Sequence, residues 1–189
     1  MAPTLLDLQT YLKNKTVCLL GNARSILKTP KNIDRYEIIG RINHGLPKGK
    51  EQYIGTRTDV LFTSTNISDS EIVQFDAKYV VWITKSKKYT TEGFRKNAIQ
   101  NPPEDWQDVK KYYPDDKIPS TGCIVINFLL KHIQFKSLIL IGFDFMKTGT
   151  HYNNSLVQSW HPPEIEEQVI KHLIMNRSNV KIMMEPTNE

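Results

Sequence analysis

The stretch Thr16-Val17-Cys18-Leu19-Leu20-Gly21-Asn22 decides the fold of this chain. Five β-branched or apolar residues run straight into a glycine and an asparagine. A short uncharged run that ends in turn residues is the mark of a strand buried on both faces, and such strands belong to parallel sheets. Runs of the same kind follow at residues 36–42, 60–63, 79–84, 137–141 and 180–184. Between them lie stretches with helical spacing. Leu5, Leu8 and Leu12 share one face over 5–12, and Ile165, Val169 and Leu173 do so over 164–176, a helix opened by Pro162 and Pro163. Residues 123–132 are almost wholly apolar, so periodicity does not separate helix from strand. Their length, and the strand run that follows at once, predict a helix.

Strands alternating with helices predict an α/β fold. The expectation is one Rossmann-like domain over 1–189, its mostly parallel sheet covered by helices on both faces. Residues 85–117 interrupt the pattern. They are polar and aromatic, contain Pro102-Pro103, and read as an inserted loop or lid.

The 189 residues suffice for one full core. With 39% hydrophobic and 24% charged residues, the composition is that of an ordinary soluble protein. No stretch reaches the ~20 apolar residues of a membrane helix. The first fifteen residues show no basic region followed by an apolar one, and only Cys18 and Cys123 are present. A cytoplasmic protein with two free thiols is therefore expected. The net charge of +5 is uneven: residues 13–57 hold ten Lys or Arg against three Asp or Glu, +7, and the remainder sums to −2. Such a region suits an anionic ligand such as a nucleotide phosphate, suits nucleic acid, and equally describes a solvated basic surface.

Four short blocks carry the chemistry. Gly21-Asn22 puts backbone N–H groups at the carboxyl edge of the first strand, where ligands bind in open α/β sheets. It is neither a dinucleotide fingerprint nor a phosphate-binding lysine loop, and by itself it also reads as a tight turn. Pro119-Ser120-Thr121-Gly122 opens the apolar helix, so hydroxyls and free N–H groups meet at a helix start, as an anion site or as a plain N-cap. His151-Tyr152 lies beyond Gly142-Phe143-Asp144-Phe145 on a loop leaving a strand, with two donors for a departing phosphate. His161 stands just before the helix opened by proline. The helix dipole favours its neutral form and a role as proton acceptor, whereas Glu164, Glu166 and Glu167 favour the charged form. A surface cap is the other reading. No metal-ligand spacing is present, and Asp144 is the only well-placed carboxylate, so no metal is expected. His44, His132 and His172 read as structural or surface residues. Two phosphate-holding turns followed by two proton-moving histidines point to transfer from a nucleotide-bearing donor.

In these residues the chain resembles the sialyltransferases of glycosyltransferase family 29. Val17 to Asn22, Arg41-Ile42-Asn43 and Gly55-Thr56-Arg57-Thr58 resemble the family's large motif. Pro119 to Gly122, continuing to Leu140-Ile141-Gly142-Phe143, resembles the small motif. His151-Tyr152 is similar to the third, and His161 to Glu166 to the very small motif, His-x4-Glu. The Gly-Phe-Asp-Phe stretch is also similar to bacterial sialyltransferases of family 42. The resemblance implies a metal-independent, inverting transfer of sialic acid or a related ulosonic acid from a CMP-sugar donor to an acceptor hydroxyl, with no cofactor. It implies a GT-A-like core without a metal-binding DxD. It assigns Gly21, Asn22, Asn43, Ser120, Thr121, Gly122 and Tyr152 to the nucleotide, His161 to the base, and His151 to the leaving phosphate. A glycan acceptor is the first expectation. A nucleic-acid acceptor held by Lys85, Lys87 and Lys88 is the second, and a non-catalytic nucleotide-binding module the third. Cys18 and Cys123 fall off that family's disulfide positions.

Overall fold

A computed structural model describes residues 2–65, 67–84, 91–153 and 160–183, with Arg95 as backbone alone. Among the described residues, seven strands form one sheet: β1 (Thr16–Leu20), β2 (Ile38–Ile42), β3 (Val60–Thr63), β4 (Tyr79–Trp82), β5 (Ile99–Gln100), β6 (Ser137–Ile141) and β7 (Val180–Met183). All pairings are parallel, in the order β5-β4-β3-β2-β1-β6-β7. The chain steps outward from β1 to β5, returns across the sheet, and lays β6 against the free side of β1. The connections from β1 and β6 thus leave in opposite directions, which opens a crevice at their carboxyl ends.

The helices are α1 (Leu5–Leu12), α2 (Glu51–Ile54), α3 (Asp69–Phe75), α4 (Glu92–Asn97), α5 (Pro103–Lys110), α6 (Thr121–His132) and α7 (Pro163–Ile174), with 3₁₀ turns at Arg24–Lys28 and Ile33–Arg35. They cover both sides because alternate strand residues point to opposite faces. Val17, Leu19, Leu138 and Leu140 pack with Leu8 and Leu12 of α1 and Phe128 of α6. Cys18, Leu20, Ile39 and Ile141 pack with Ile26, Ile33 and Ile54 on the other face. Further along that sheet, Leu61 and Trp82 close against Phe75 and Phe94. Every residue of α6 from Cys123 to Leu130 is buried. A helix apolar all round is a core helix, which is why its sequence lacked a period.

The structure corrects several boundaries. β2 begins at Ile38, because Arg57 Nη2 takes the carbonyls of Tyr36 (2.6 Å) and Glu37 (3.1 Å). β4 ends at Trp82, although Ile83 N–H still reaches Thr63 O at 2.9 Å. The larger correction concerns residues 85–117. Their described part is not irregular: it supplies α4, the edge strand β5 and α5. Asp105 of α5, fully buried, accepts Lys131 Nζ at 2.6 Å and His132 Nε2 at 2.7 Å, and so bolts α5 onto α6. His132 is structural in this sense. Residues 85–90, with Lys85, Lys87 and Lys88, lie outside the described residues, as does Met184. Cys18 and Cys123 are free, buried, and on opposite faces of the sheet. Among the described residues, no helix is long and apolar enough to cross a membrane.

Candidate active site

The first and third chemical blocks meet at the crevice between β1 and β6. Gly21 N–H donates to Ile141 O (2.8 Å) and Ala23 N–H to Gly142 O (3.2 Å). A Cβ on Gly21 would stand 2.3 Å from Gly142 O, and Gly142 itself has φ +75°. Two backbones in contact leave no room for a side chain at either position. The loop after Gly142 is tied down by Asp144, which accepts Ser25 Oγ (3.0 Å) and Thr148 N–H (3.1 Å). It then returns to the strand end: Arg24 N–H donates to Gly149 O, and His151 N–H donates to Asn22 O at 2.9 Å. Asn22 Nδ2 in turn donates to Ile42 O, 2.8 Å away at the end of β2.

His151 Nδ1 is buried and has no hydrogen-bond partner among the described residues. Burial foremost, then the nearby cations Lys50 and Arg41, draws its pKa down to about 4. At pH 7 it is a neutral imidazole that can share one N–H with a phosphate. The positive charge at this corner comes from Lys50 and Arg41. Arg41 is 1% exposed, and burial lowers its pKa to about 10, so it stays charged at pH 7. Its Nε and Nη2 donate to Thr58 Oγ1 and the carbonyls of Ile54 and Arg57, while Nη1 has no partner among the described residues.

The second block joins the end of β2. Asn43 takes the left-handed conformation (φ 49°) that asparagine tolerates. Its Nδ2 donates to Thr121 Oγ1 (3.2 Å), and its Oδ1 accepts Ser64 N–H (3.0 Å). Ser64 Oγ and Thr121 Oγ1 share a further bond at 2.5 Å. Ser120 Oγ caps α6 through Cys123 N–H (3.2 Å). Gly122 lets the Phe143 ring approach, since a Cβ there would lie 3.0 Å from it.

His161 hangs from the segment before Ser120. Its Nδ1 donates to Ile118 O (2.9 Å), and Ile118 N–H donates to Trp160 O (3.0 Å). A carbonyl only accepts, so in the neutral ring the lone pair falls on Nε2. The carboxylates of α7 are engaged elsewhere than the sequence reading supposed. Glu166, 2% exposed, accepts Tyr113 Oη (2.6 Å), Ser120 N–H (3.3 Å) and Ser120 Oγ. Glu167 pairs with Lys147 and Lys171. Glu166 thereby clamps the helix after His161 to the Ser120 turn.

The structure thus brings Gly21, Asn22, Asn43, Thr121, Gly122, His151 and Tyr152 to one edge, with Ser120 and His161 linked through the 118–122 segment. It adds a residue the sequence reading placed elsewhere. His44 Nδ1 lies 2.6 Å from Glu71 Oε1, and its Nε2 lies 3.2 Å from Thr65 Oγ1. The Tyr152 ring stands edge-on to both His44 (5.6 Å between centroids) and His151 (5.7 Å). His44, Lys48, Lys50, Glu71 and Tyr152 border an open cleft of about 450 Å³. The signal was positional: His44 directly follows Asn43 at a strand's carboxyl end. Among the described residues, no cluster of three or more His, Cys, Asp or Glu side chains is placed to hold a metal ion.

An all-parallel sheet with polar loops gathered at its switch point defines a Rossmann-like α/β fold. Solved sialyltransferases share it. The chain is similar to a mammalian sialyltransferase at 16% identity and a TM-score of 0.65, over 92% of this chain and 70% of that one. It is similar to the monofunctional α-2,3-sialyltransferase Cst-I from Campylobacter jejuni at 14% identity and a TM-score of 0.64, over 93% of this chain and 78% of that one. It is also similar to the sialyltransferase CstII from Campylobacter jejuni, solved with cytidine-5′-monophosphate, at 14% identity and a TM-score of 0.63, over 93% and 82% of the two chains. No protein-family profile matches the sequence, and no curated protein matches it.

Proposed function

We propose that this protein is a sialyltransferase-like glycosyltransferase that moves sialic acid or a related ulosonic acid from a CMP-sugar to an acceptor hydroxyl, with inversion and without a metal. The observation that carries this reading is the convergence of Asn22, Asn43 and Thr121 on a switch-point crevice beside the unpartnered Nδ1 of His151. The neighbours solved with CMP and with glycan acceptors supply the ligand class. Asn22, Asn43 and the Ser120-Thr121-Gly122 turn hold the nucleotide. His151 gives one hydrogen bond to the phosphate, and Lys50 and Arg41 give the opposing charge.

His161 Nε2 takes the acceptor's proton as the acceptor oxygen bonds to the anomeric carbon. The bond from that carbon to the phosphate oxygen breaks, and its electron pair leaves with CMP. One displacement at carbon inverts the centre. A positioned base contributes about 10²–10⁴-fold to turnover. His161→Ala is expected to lose that factor while CMP still binds. CMP is expected to raise the melting temperature equally with and without EDTA, and at 100 Kd the added stability is about 2.7 kcal/mol. A shift with UDP or GDP and none with CMP overturns the donor assignment. Full activity of His161→Ala across pH 6–8 overturns the base.

A further inference from the structure

Tyr112-Tyr113-Pro114, at the end of α5, takes no part in the transfer chemistry above. The two rings part: Tyr113 goes inward (5% exposed) and Tyr112 outward (40%). On α7, Ile165, Gln168, Val169 and His172 fall at i, i+3, i+4 and i+7, a single stripe of the helix. These residues border an open cleft of about 590 Å³. Its floor is Tyr113, Ile165 and Val169. Its rim is polar: Gln168, exposed His172, and Lys111, whose ammonium stands 5.2 Å from the centre of the Tyr112 ring. The His172 ring meets Tyr112 with 5.4 Å between centroids, so an ammonium and an imidazole brace the exposed phenol. None of the lining residues carries a carboxylate.

The cleft adjoins the transfer site. Tyr113 Oη donates to Glu166 (2.6 Å), which also accepts Ser120 N–H. Pro114 precedes by four residues Ile118, whose carbonyl holds His161 Nδ1, a reach of at most about 14 Å. Ile165 follows His161 by four residues. From Ile165 to His172 the stripe runs about 10 Å, roughly the length of two linked sugar rings.

We propose that this cleft is an extended acceptor subsite, which takes the inner sugars of an oligosaccharide whose terminal hydroxyl lies at His161. This rests on the reading of His161 as the base of a glycosyltransferase. The negative face of an aromatic ring attracts the C–H groups on the apolar side of a pyranose. Gln168, His172 and Lys111 stand where they can bond the hydroxyls around it. An apolar partner helix laid in the cleft would leave those polar groups unpaired.

The test is a titration followed by the NMR signals of the His172 ring, with and without CMP. The probes are matched di- and tetrasaccharides: lactose and lacto-N-neotetraose, chitobiose and chitotetraose, disialic and tetrasialic acid. At least one tetrasaccharide is expected to shift the His172 signals and to bind at least about fivefold tighter than its disaccharide. Tyr112→Ala is expected to remove that preference, and Tyr112→Phe to keep it. In transfer assays the preference should appear in KM with kcat unchanged. Equal affinity for both lengths in all three pairs, or a preference that survives in Tyr112→Ala, overturns the proposal. A tetrasaccharide that binds the cleft but only inhibits transfer to its disaccharide overturns the acceptor role. Shifts that follow protein concentration instead of glycan mean that a second copy fills the cleft, and overturn it too. Failure to bind CMP overturns the donor site itself, which is a separate result, and the titration without nucleotide still decides the cleft.

Discussion

Asn43 shows how much one side chain settles here. Its backbone is left-handed, and its amide joins α6 through Thr121 and β3 through Ser64. Asn43→Ala loses both bonds and strains the backbone, and is expected to cost about 2 kcal/mol or more. Asn43→Gly relieves the strain alone. Urea unfolding should therefore rank wild type above Gly above Ala, while both variants lose CMP affinity. His151 makes a pH prediction. Its folded pKa of about 4 lies below the 6.5 of an ordinary histidine, so the unfolded chain takes up the proton first as pH falls. Its contribution is complete above about pH 6.5 and disappears toward pH 4, a loss of about 3 kcal/mol. His151→Gln should flatten that part of the stability curve, and an unchanged curve would refute the shift. The place of Asn22, Asn43 and Thr121 at the sheet edge was legible because each follows a strand or opens a helix, although a tight turn or an N-cap gives the same local pattern. His44 was legible only by its position after Asn43 at a strand end. Its importance comes from Glu71, 27 residues away in sequence, and no local pattern announces that partner.

Among the elements, α7 and the Ser120 turn act as one piece because Glu166 receives bonds from both Tyr113 and Ser120. Tyr113→Phe removes one bond to a charged group and is expected to cost about 1.5–3 kcal/mol. Chemical unfolding measures it, and a neutral result would mean that Ser120 alone holds the clamp. The α5–α6 joint is stiffer. Asp105→Ala leaves His132 and Lys131 without their shared carboxylate, at a cost of about 3 kcal/mol, the low end for a broken buried pair because Lys131 reaches water. The strong elements were readable from apolar runs and from the period of α7. β5 was not, because two residues flanked by polar helices carry no period. α5 was hidden for a related reason: it is held less by an apolar stripe than by buried Asp105, which a pattern of hydrophobicity counts as surface.

For the molecule as a whole, the sheet that organises the site also separates the two thiols. Burial pushes the Cys18 pKa up to about 12 and raises that of Cys123 as well. Neither thiol is expected to react with iodoacetamide in the native state, and both should be alkylated together on unfolding. Mass spectrometry that finds one modified alone would reveal local opening, and a Cys18–Cys123 bond would contradict the sheet. The same sheet constrains how the protein is made. β1 lies inside the sheet, yet the partner on one side, β6, arrives late: Thr16 and Ser137, which pair at the strand start, are 121 residues apart. A nascent chain that has emerged only through β5 holds β1 as an open, apolar edge, and such an edge invites pairing with another chain. Ribosome-bound chains halted before Ser137 are therefore expected to recruit holdase chaperones, and chains released just beyond β6 are not.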